Sequence, residues 1–169
     1  MCRRAMVAAL VALGACAEDR SRNEGPWEFH VDSGGPGAAP ASAWLRSVGK
    51  EGPPGEPQTT SAILSLDCRP DHTGATILTE QALRQGSVDV ELTLDAGRPR
   101  KLPAFAGTTP TGGQVALTVP LDSVLALLSG HRQATIAYAD GAGSSRTTAV
   151  FPVAGLQTYR GRFLAACGR

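Results

Sequence analysis

Between residues 88 and 95 the chain alternates without a slip. Val88, Val90, Leu92 and Leu94 fall on one side, and Asp89, Glu91, Thr93 and Asp95 on the other. A period of two belongs to a strand with one dry and one wet face. The fold must therefore contain a half-buried sheet. The same alternation returns in Ala62, Leu64, Leu66 and Cys68, then in Val115, Leu117 and Val119, and again in Ala134, Ile136 and Tyr138. Trp27 to Val31 and Thr147 to Val153 read as two more strands, and Ala75 to Thr79 as a weaker one. Asp95-Ala96-Gly97 supplies a turn, after which Arg98 to Ala106 returns as a strand broken at Pro103.

Helical spacing shows in two places. Asp122 is placed to cap a short helix through Val124, Leu125, Leu127 and Leu128, stopped by Gly130. Near the end, Leu156, Tyr159, Phe163 and Cys167 form an apolar stripe that a terminal helix would lay on the sheet. The expected fold is mainly β: an antiparallel β-sandwich or partly open barrel, with a short helix near 121–129 and a C-terminal helix. From Ser33 to Pro57, eleven of twenty-five residues are Gly or Pro. That density predicts a loop, with at most one turn of structure around Trp44-Leu45. The domain organisation expected is a leader over 1–15, a tether over 16–25, a first strand and Gly/Pro-rich loop over 26–59, and a β-sandwich domain over 60–169.

The leader is read from the first sixteen residues. Met1-Cys2-Arg3-Arg4 is a basic start, and the uncharged run Ala5 to Ala12 is too short to span a bilayer, which takes about 20 apolar residues. Leu13-Gly14-Ala15-Cys16 then resembles the lipobox of bacterial lipoproteins. The resemblance implies cleavage before Cys16 and a diacylglyceryl group on its thiol. Ala15-Cys16-Ala17 also fits an ordinary small-x-small cleavage site, which remains the rival reading. Acyl burial contributes about 0.8 kcal/mol per CH₂, so two or three chains on Cys16 would hold the protein permanently. The expected location is the cell envelope, lipid-anchored, with Ala17 after the cysteine resembling the pattern sorted to the outer membrane, facing the periplasm.

With Cys2 removed and Cys16 lipidated, Cys68 and Cys167 remain, and in an oxidising compartment they are expected to pair. Losing Arg3 and Arg4 takes the formal charge from +1 to −1. A near-neutral chain argues against nucleic-acid binding, which calls for a basic domain, and no nucleic-acid partner is expected. Nor does that balance give reason to expect a charge-driven membrane contact besides the anchor.

Candidate chemistry is sparse. Asp32-Ser33-Gly34-Gly35-Pro36 resembles the nucleophile string of chymotrypsin-like proteases, but it comes far too early and only His30 precedes it nearby. Asp67, Asp71 and His72 crowd one strand end, where turn formation explains them better than a metal. His131 follows Gly130 and reads as a cap or a solvated side chain. Arg98, Arg100 and Lys101 form a basic hairpin edge that discourages aggregation as well as it would hold an acidic partner. Asp89 and Glu91 point the same way, as paired carboxylates do in glycosidases, yet the alternation already accounts for them as the wet face. No catalytic residue, cofactor or metal site is expected.

From Cys68 onward, feature order is similar to the VasI/TagO-like family of type VI secretion accessory proteins. The matching residues are Trp27, Leu66-Asp67-Cys68, Leu94-Asp95-Ala96-Gly97, Leu121 to Leu128, Phe151 to Leu156 and Ala166-Cys167-Gly168. The acidic, Ser-containing segment usual after the first Trp is replaced here by the Gly/Pro-rich stretch, and no Trp follows the Asp-Ala-Gly turn. The resemblance implies an accessory role and brings no catalytic residues. The expected function is thus a non-enzymatic envelope lipoprotein with an envelope protein partner. A small envelope hydrolase and a lipid- or glycan-binding module are the alternatives. A flat patch with an exposed edge strand points to the first, a pocket joining His131 or His72 with Ser or Asp to the second, and an exposed apolar groove to the third.

Overall fold

Alternation drives nearly every expected strand into place. The computed structural model describes residues 25–33, 40–69, 72–139 and 146–168. The leader, Cys16 and its tether up to residue 24, Asp71, and the loop from Asp140 to Ser145 lie outside the described residues. Nine strands form: β1 (Trp27–Ser33), β2 (Pro40–Gly52), β3 (Thr60–Cys68), β4 (Thr73–Thr79), β5 (Gly86–Leu94), β6 (Arg100–Thr109), β7 (Gly112–Leu117), β8 (Gln133–Ala139) and β9 (Arg146–Pro152). Two helices join them, α1 (Leu121–Leu128) and α2 (Leu156–Ala166). Strand order is β1-β2-β3-β4-β7-β6-β5-β8-β9, all antiparallel. Then β2 also pairs β9, Lys50 with Val150, Glu51 with Ala149 and Gly52 with Thr148. This closes eight strands into a barrel and leaves β1 as an extra strand beside it.

Closure corrects the sequence reading twice. The sheet is neither a sandwich nor a partly open barrel, and residues 40–52 are a barrel strand rather than a loop. The reason lies in what β2 must do. Along one edge it pairs first β1, through residues 40–47, and then β9, through residues 50–52. Where the edge changes hands, a Cβ on Gly49 would lie 2.2 Å from the Val150 carbonyl oxygen and 2.6 Å from the Phe151 ring. Only glycine lets the strands approach that closely. The residue that looks like a strand breaker is what permits the strand. Pro103 likewise does not break β6. Its carbonyl accepts from Thr118 N just past the end of β7, so the amide it lacks would have pointed where the ladder already stops.

Inward positions alternate around the whole ring: Ala43, Leu45, Leu64, Leu66, Ala75, Ile77, Val90, Leu92, Ala104, Ala106, Val115, Ile136, Ala149 and Phe151 are buried. An eight-stranded barrel has an interior just wide enough for side chains to fill. One end is closed by both helices. Leu121, Val124, Leu125 and Leu128 of α1 and Leu156, Tyr159 and Phe163 of α2 are buried there. Asp122 is not the cap expected of it. Pro120 holds that position with no side-chain cap, and Asp122 sits in the first turn, where a carboxylate still favours the helix dipole.

The wedge between β1 and β9 is pinned by two long-range bonds. Trp27 Nε1 donates to Val153 O at 3.2 Å, and Ser47 Oγ donates to Pro152 O at 2.6 Å. Residue 167, just past α2, sits at disulfide distance from Cys68 at the end of β3, with Cα atoms 5.7 Å apart.

The other end of the barrel is polar inside. Glu51 is fully buried and accepts hydrogen bonds from Thr79 Oγ1 and, at 2.6 Å, from the Tyr138 hydroxyl. Thr147 Oγ1 donates to the Gln81 side chain, and Gln81 N donates to Thr79 Oγ1. Burial, and then the Glu51 carboxylate itself, push the Tyr138 hydroxyl pKa above the ordinary tyrosine value. A buried carboxylate is expensive unless it is fully hydrogen-bonded. Here its partners come from β4 and β8, on either side of β2, so the cluster ties three strands across the lumen.

Candidate functional site

The strand outside the ring offers the most exposed backbone. Among the described residues no strand pairs with the outer edge of β1. Its inward side chains, Trp27 and Phe29, are buried, with Phe29 packed on Tyr159 of α2. Its outward side chains, Glu28, His30 and Asp32, are exposed. The outer face continues onto β2, where Trp44 meets the stacked His30 ring, at 5.1 Å, and the Arg46 guanidinium, 4.3 Å from the ring centre. Alternation along β1 and β2 puts all three on one face in adjacent rows, since His30 pairs with Trp44 in the ladder. Beyond this ridge a groove of about 270 Å³ crosses β3 and β4, lined by Arg46, Ser65, Asp67, Arg69, His72 and Thr76 among others. The result is a mixed-charge surface with an aromatic ridge and a groove, next to a strand whose outer edge is unpaired among the described residues.

Asp32 sits at the centre of a small cluster on that edge. Ser42 Oγ donates to its Oδ2 at 2.6 Å and His30 Nε2 donates to its Oδ1 at 2.7 Å. These bonds, Ser42's first and His30's second, hold the Asp32 carboxyl below the usual aspartate range. The residue types are those of a hydrolytic triad, but the order is not. There the imidazole lies between hydroxyl and carboxylate and takes the hydroxyl proton. Here the carboxylate lies between the other two, and His30 does not contact Ser42. Among the described residues the Ser42 hydroxyl donates to Asp32 alone. Residues 34–36 of the protease-like string lie outside the described residues.

The other sequence candidates scatter over the barrel. Asp67 is buried and faces Arg69 Nη2 at 3.4 Å, with His72 across the same β3–β4 turn. No group of three metal-capable side chains occurs among the described residues. Asp89 and Glu91 do share the outer face of β5, where Glu91 pairs with Arg146 of β9. Cys68 and Cys167 are brought together as expected.

One association escaped the residue-by-residue reading. His131 Nδ1 donates to Asp95 Oδ2 at 2.8 Å, while Asp95 Oδ1 accepts from the backbone amides of Arg132 and Gln133 at 3.0 Å each. The His131 bond and then the two amides lower the Asp95 pKa. Asp95 holds φ at +50°, a left-handed conformation rare outside glycine, and reaches His131 because the end of β5 pairs with the start of β8. A contact between residues 36 positions apart leaves no trace in local pattern. The Asp-Ala-Gly turn was the only signal available.

No protein-family model matches this chain, and no curated protein does. Among solved structures it is similar to the crystal structure of invasion associated protein B from Bartonella henselae, with a TM-score of 0.53 and 14% identity over 86% of this chain and 96% of that one. At that identity the likeness shows a shared fold: a mainly antiparallel, barrel-like architecture.

Proposed function

We propose that the chain is an exported lipoprotein, anchored in the cell envelope through Cys16, whose barrel docks an envelope protein without catalysing a reaction. The observation that carries this is β1, a strand beside a closed barrel with its outer edge unpaired among the described residues. A closed barrel has no edges of its own. An added strand on it therefore creates an edge the fold does not require, and edge addition gives a partner main-chain hydrogen bonds with side-chain selection at alternate positions. Glu28, His30 and Asp32 would supply that selection, and their charges keep two copies from pairing indiscriminately. The type VI resemblance suggests a secretion component as the partner.

Two measurements test the reading. Labelling with palmitate should mark the wild-type protein and not a Cys16→Ser variant. A photo-crosslinking residue at position 28 should trap one envelope protein in living cells, while the same probe at Phe105, exposed on β6 across the barrel, traps none. Equal trapping at both positions would refute the docking edge.

Two observations favour a hydrolase: the groove that holds His72 with Ser65 and Asp67, where no hydrogen bond among the described residues links the imidazole to either, and the Asp95–His131 pair, since a carboxylate that orients an imidazole supplies two members of a catalytic triad. The cleft beside it is lined by no Ser, Thr or Cys among the described residues. The pair has no nucleophile to activate there, and docking stands as the better-supported reading.

A further inference from the structure

The cleft bordered by His131 carries a different role. It measures about 300 Å³ and lies between the β5–β6 turn and α1, with Leu92, Leu94 and Leu127 below and Arg98, Arg100 and His131 at the rim. Among the described residues neither Arg98 nor Arg100 forms an ion pair. The carboxylate of the β5–β6 turn is already committed, since Asp95 gives one oxygen to His131 and the other to two backbone amides. Glu91, further along β5, is held by Arg146. Two guanidiniums thus face a cleft with no carboxylate paired to them among the described residues. Asp95 also fixes the imidazole, which leaves His131 Nε2 without a partner among the described residues.

We propose that this cleft binds a phosphate-bearing anion. A phosphoryl group offers several acceptor oxygens in a tetrahedral array, enough for two planar guanidinium forks and one imidazole nitrogen. Backbone geometry supports the placement. Arg100 is fixed in the β5–β6 ladder opposite Leu92, and Arg98 follows directly on the tight turn closed by Gly97 N and Leu94 O at 2.9 Å. Little chain entropy is then lost on binding.

Gly25, the first described residue, lies on the same side of the barrel as the cleft. A Cβ on Gly25 would be 3.8 Å from Ala154 O, and the neighbouring Val153 N donates to Arg132 O at 2.8 Å, one residue from His131. Nine peptide steps back to Cys16 extend no more than about 30 Å. If the anchoring reading holds, lipid headgroups come within reach of the cleft. The phosphate chemistry itself does not rest on that reading, and a soluble phosphate ester meets the same groups.

The test uses the full exported chain carrying Cys16→Ser, which separates the cleft from any anchor. One arm titrates inorganic phosphate and glycerol 3-phosphate at constant ionic strength, followed by backbone and imidazole NMR resonances. The other measures flotation with vesicles of phosphatidylglycerol in phosphatidylcholine against phosphatidylcholine alone. The expected result is a saturable response centred on Gly97, Arg98, Arg100 and His131. An Arg98→Gln/Arg100→Gln variant with an unchanged melting temperature should bind about tenfold more weakly or worse. A response to the small phosphates identifies a soluble ligand, and a response to the anionic vesicles alone identifies a lipid headgroup. No saturable response in either arm, or an equal response from the double variant, overturns the proposal.

Discussion

Substituting Gly49 by alanine tests the point on which barrel closure depends. The added methyl would lie 2.2 Å from the Val150 carbonyl oxygen and 2.6 Å from a Phe151 ring carbon. Neither contact can relax at a side-chain tip, because one is backbone and Phe151 is wholly buried. Relief requires β9 to move away from β2 at the residue next to their three-residue seam. Overpacking of this kind costs about 1–3 kcal/mol. Losing two seam hydrogen bonds adds about 1 kcal/mol each. A total near 4 kcal/mol is a large share of the 5–15 kcal/mol typical of a domain, and at about 2–4 °C per kcal/mol it lowers the melting temperature by roughly 10 °C. Gly161 provides the control. It lies inside α2, and a methyl added there would meet nothing within 4 Å, so alanine should stabilise by about 0.5–1 kcal/mol. Equilibrium urea unfolding, followed by fluorescence of Trp27 and Trp44, reads both variants. If Gly49→Ala stays within about 0.5 kcal/mol of the parent, the strands do not meet there and the closure argument fails.

Three further outcomes follow from the same structure. Replacing Cys68 and Cys167 by serine should lower stability by up to about 4.7 kcal/mol, the chain-entropy limit for a loop of 99 residues, and reductant should reproduce the loss in the wild type only. Tyr138 has its pKa raised by folding, so its contribution is complete below the ordinary tyrosine value of 10.0 and is lost as pH climbs past it. Denaturation between pH 9 and 12 should show a steeper loss for the wild type than for Tyr138→Phe. Asp95 has its pKa lowered, so its contribution is present above the ordinary aspartate value of 3.8 and lost as pH falls through and below it. Unfolding curves for wild type and Asp95→Asn should differ at pH 7 and converge in acid.

Most of the sheet was legible because most strands keep one side dry. Val88 to Leu94 and Ala134 to Tyr138 advertise their inward residues by size and hydropathy. The β2 strand does not, because its inward positions run Ala43, Leu45, Ser47, Gly49 and Glu51. Each departure from apolar bulk has a local cause: Ser47 bonds Pro152 O, Gly49 meets β9, and Glu51 anchors the polar end. A strand whose dry side is built from a hydroxyl, a hydrogen and a carboxylate carries no period. The terminal stripe of α2 was legible for the opposite reason, since Leu156, Tyr159 and Phe163 are all large and all buried. At the sites, the roles of Cys68 and Cys167 could be read from counting alone. The Asp95–His131 pair and the edge of β1, unpaired among the described residues, could not, because both arise from which strands become neighbours.

The seam between residues 50–52 and 148–150 has a consequence for how the protein is made. Nearly one hundred residues separate its two sides, and the sulfur pair spans a similar stretch to position 167. A chain emerging in order of synthesis presents β2 early and β9 last among its strands. Until β9 has emerged, the edge that carries the buried carboxylate has nothing to seal against, and high-separation contacts of this type form slowly in any case. The polypeptide must then wait as an unsealed sheet, sticky along two borders, so a holding chaperone or rapid pairing of Cys68 with Cys167 should govern how much of it reaches the closed barrel.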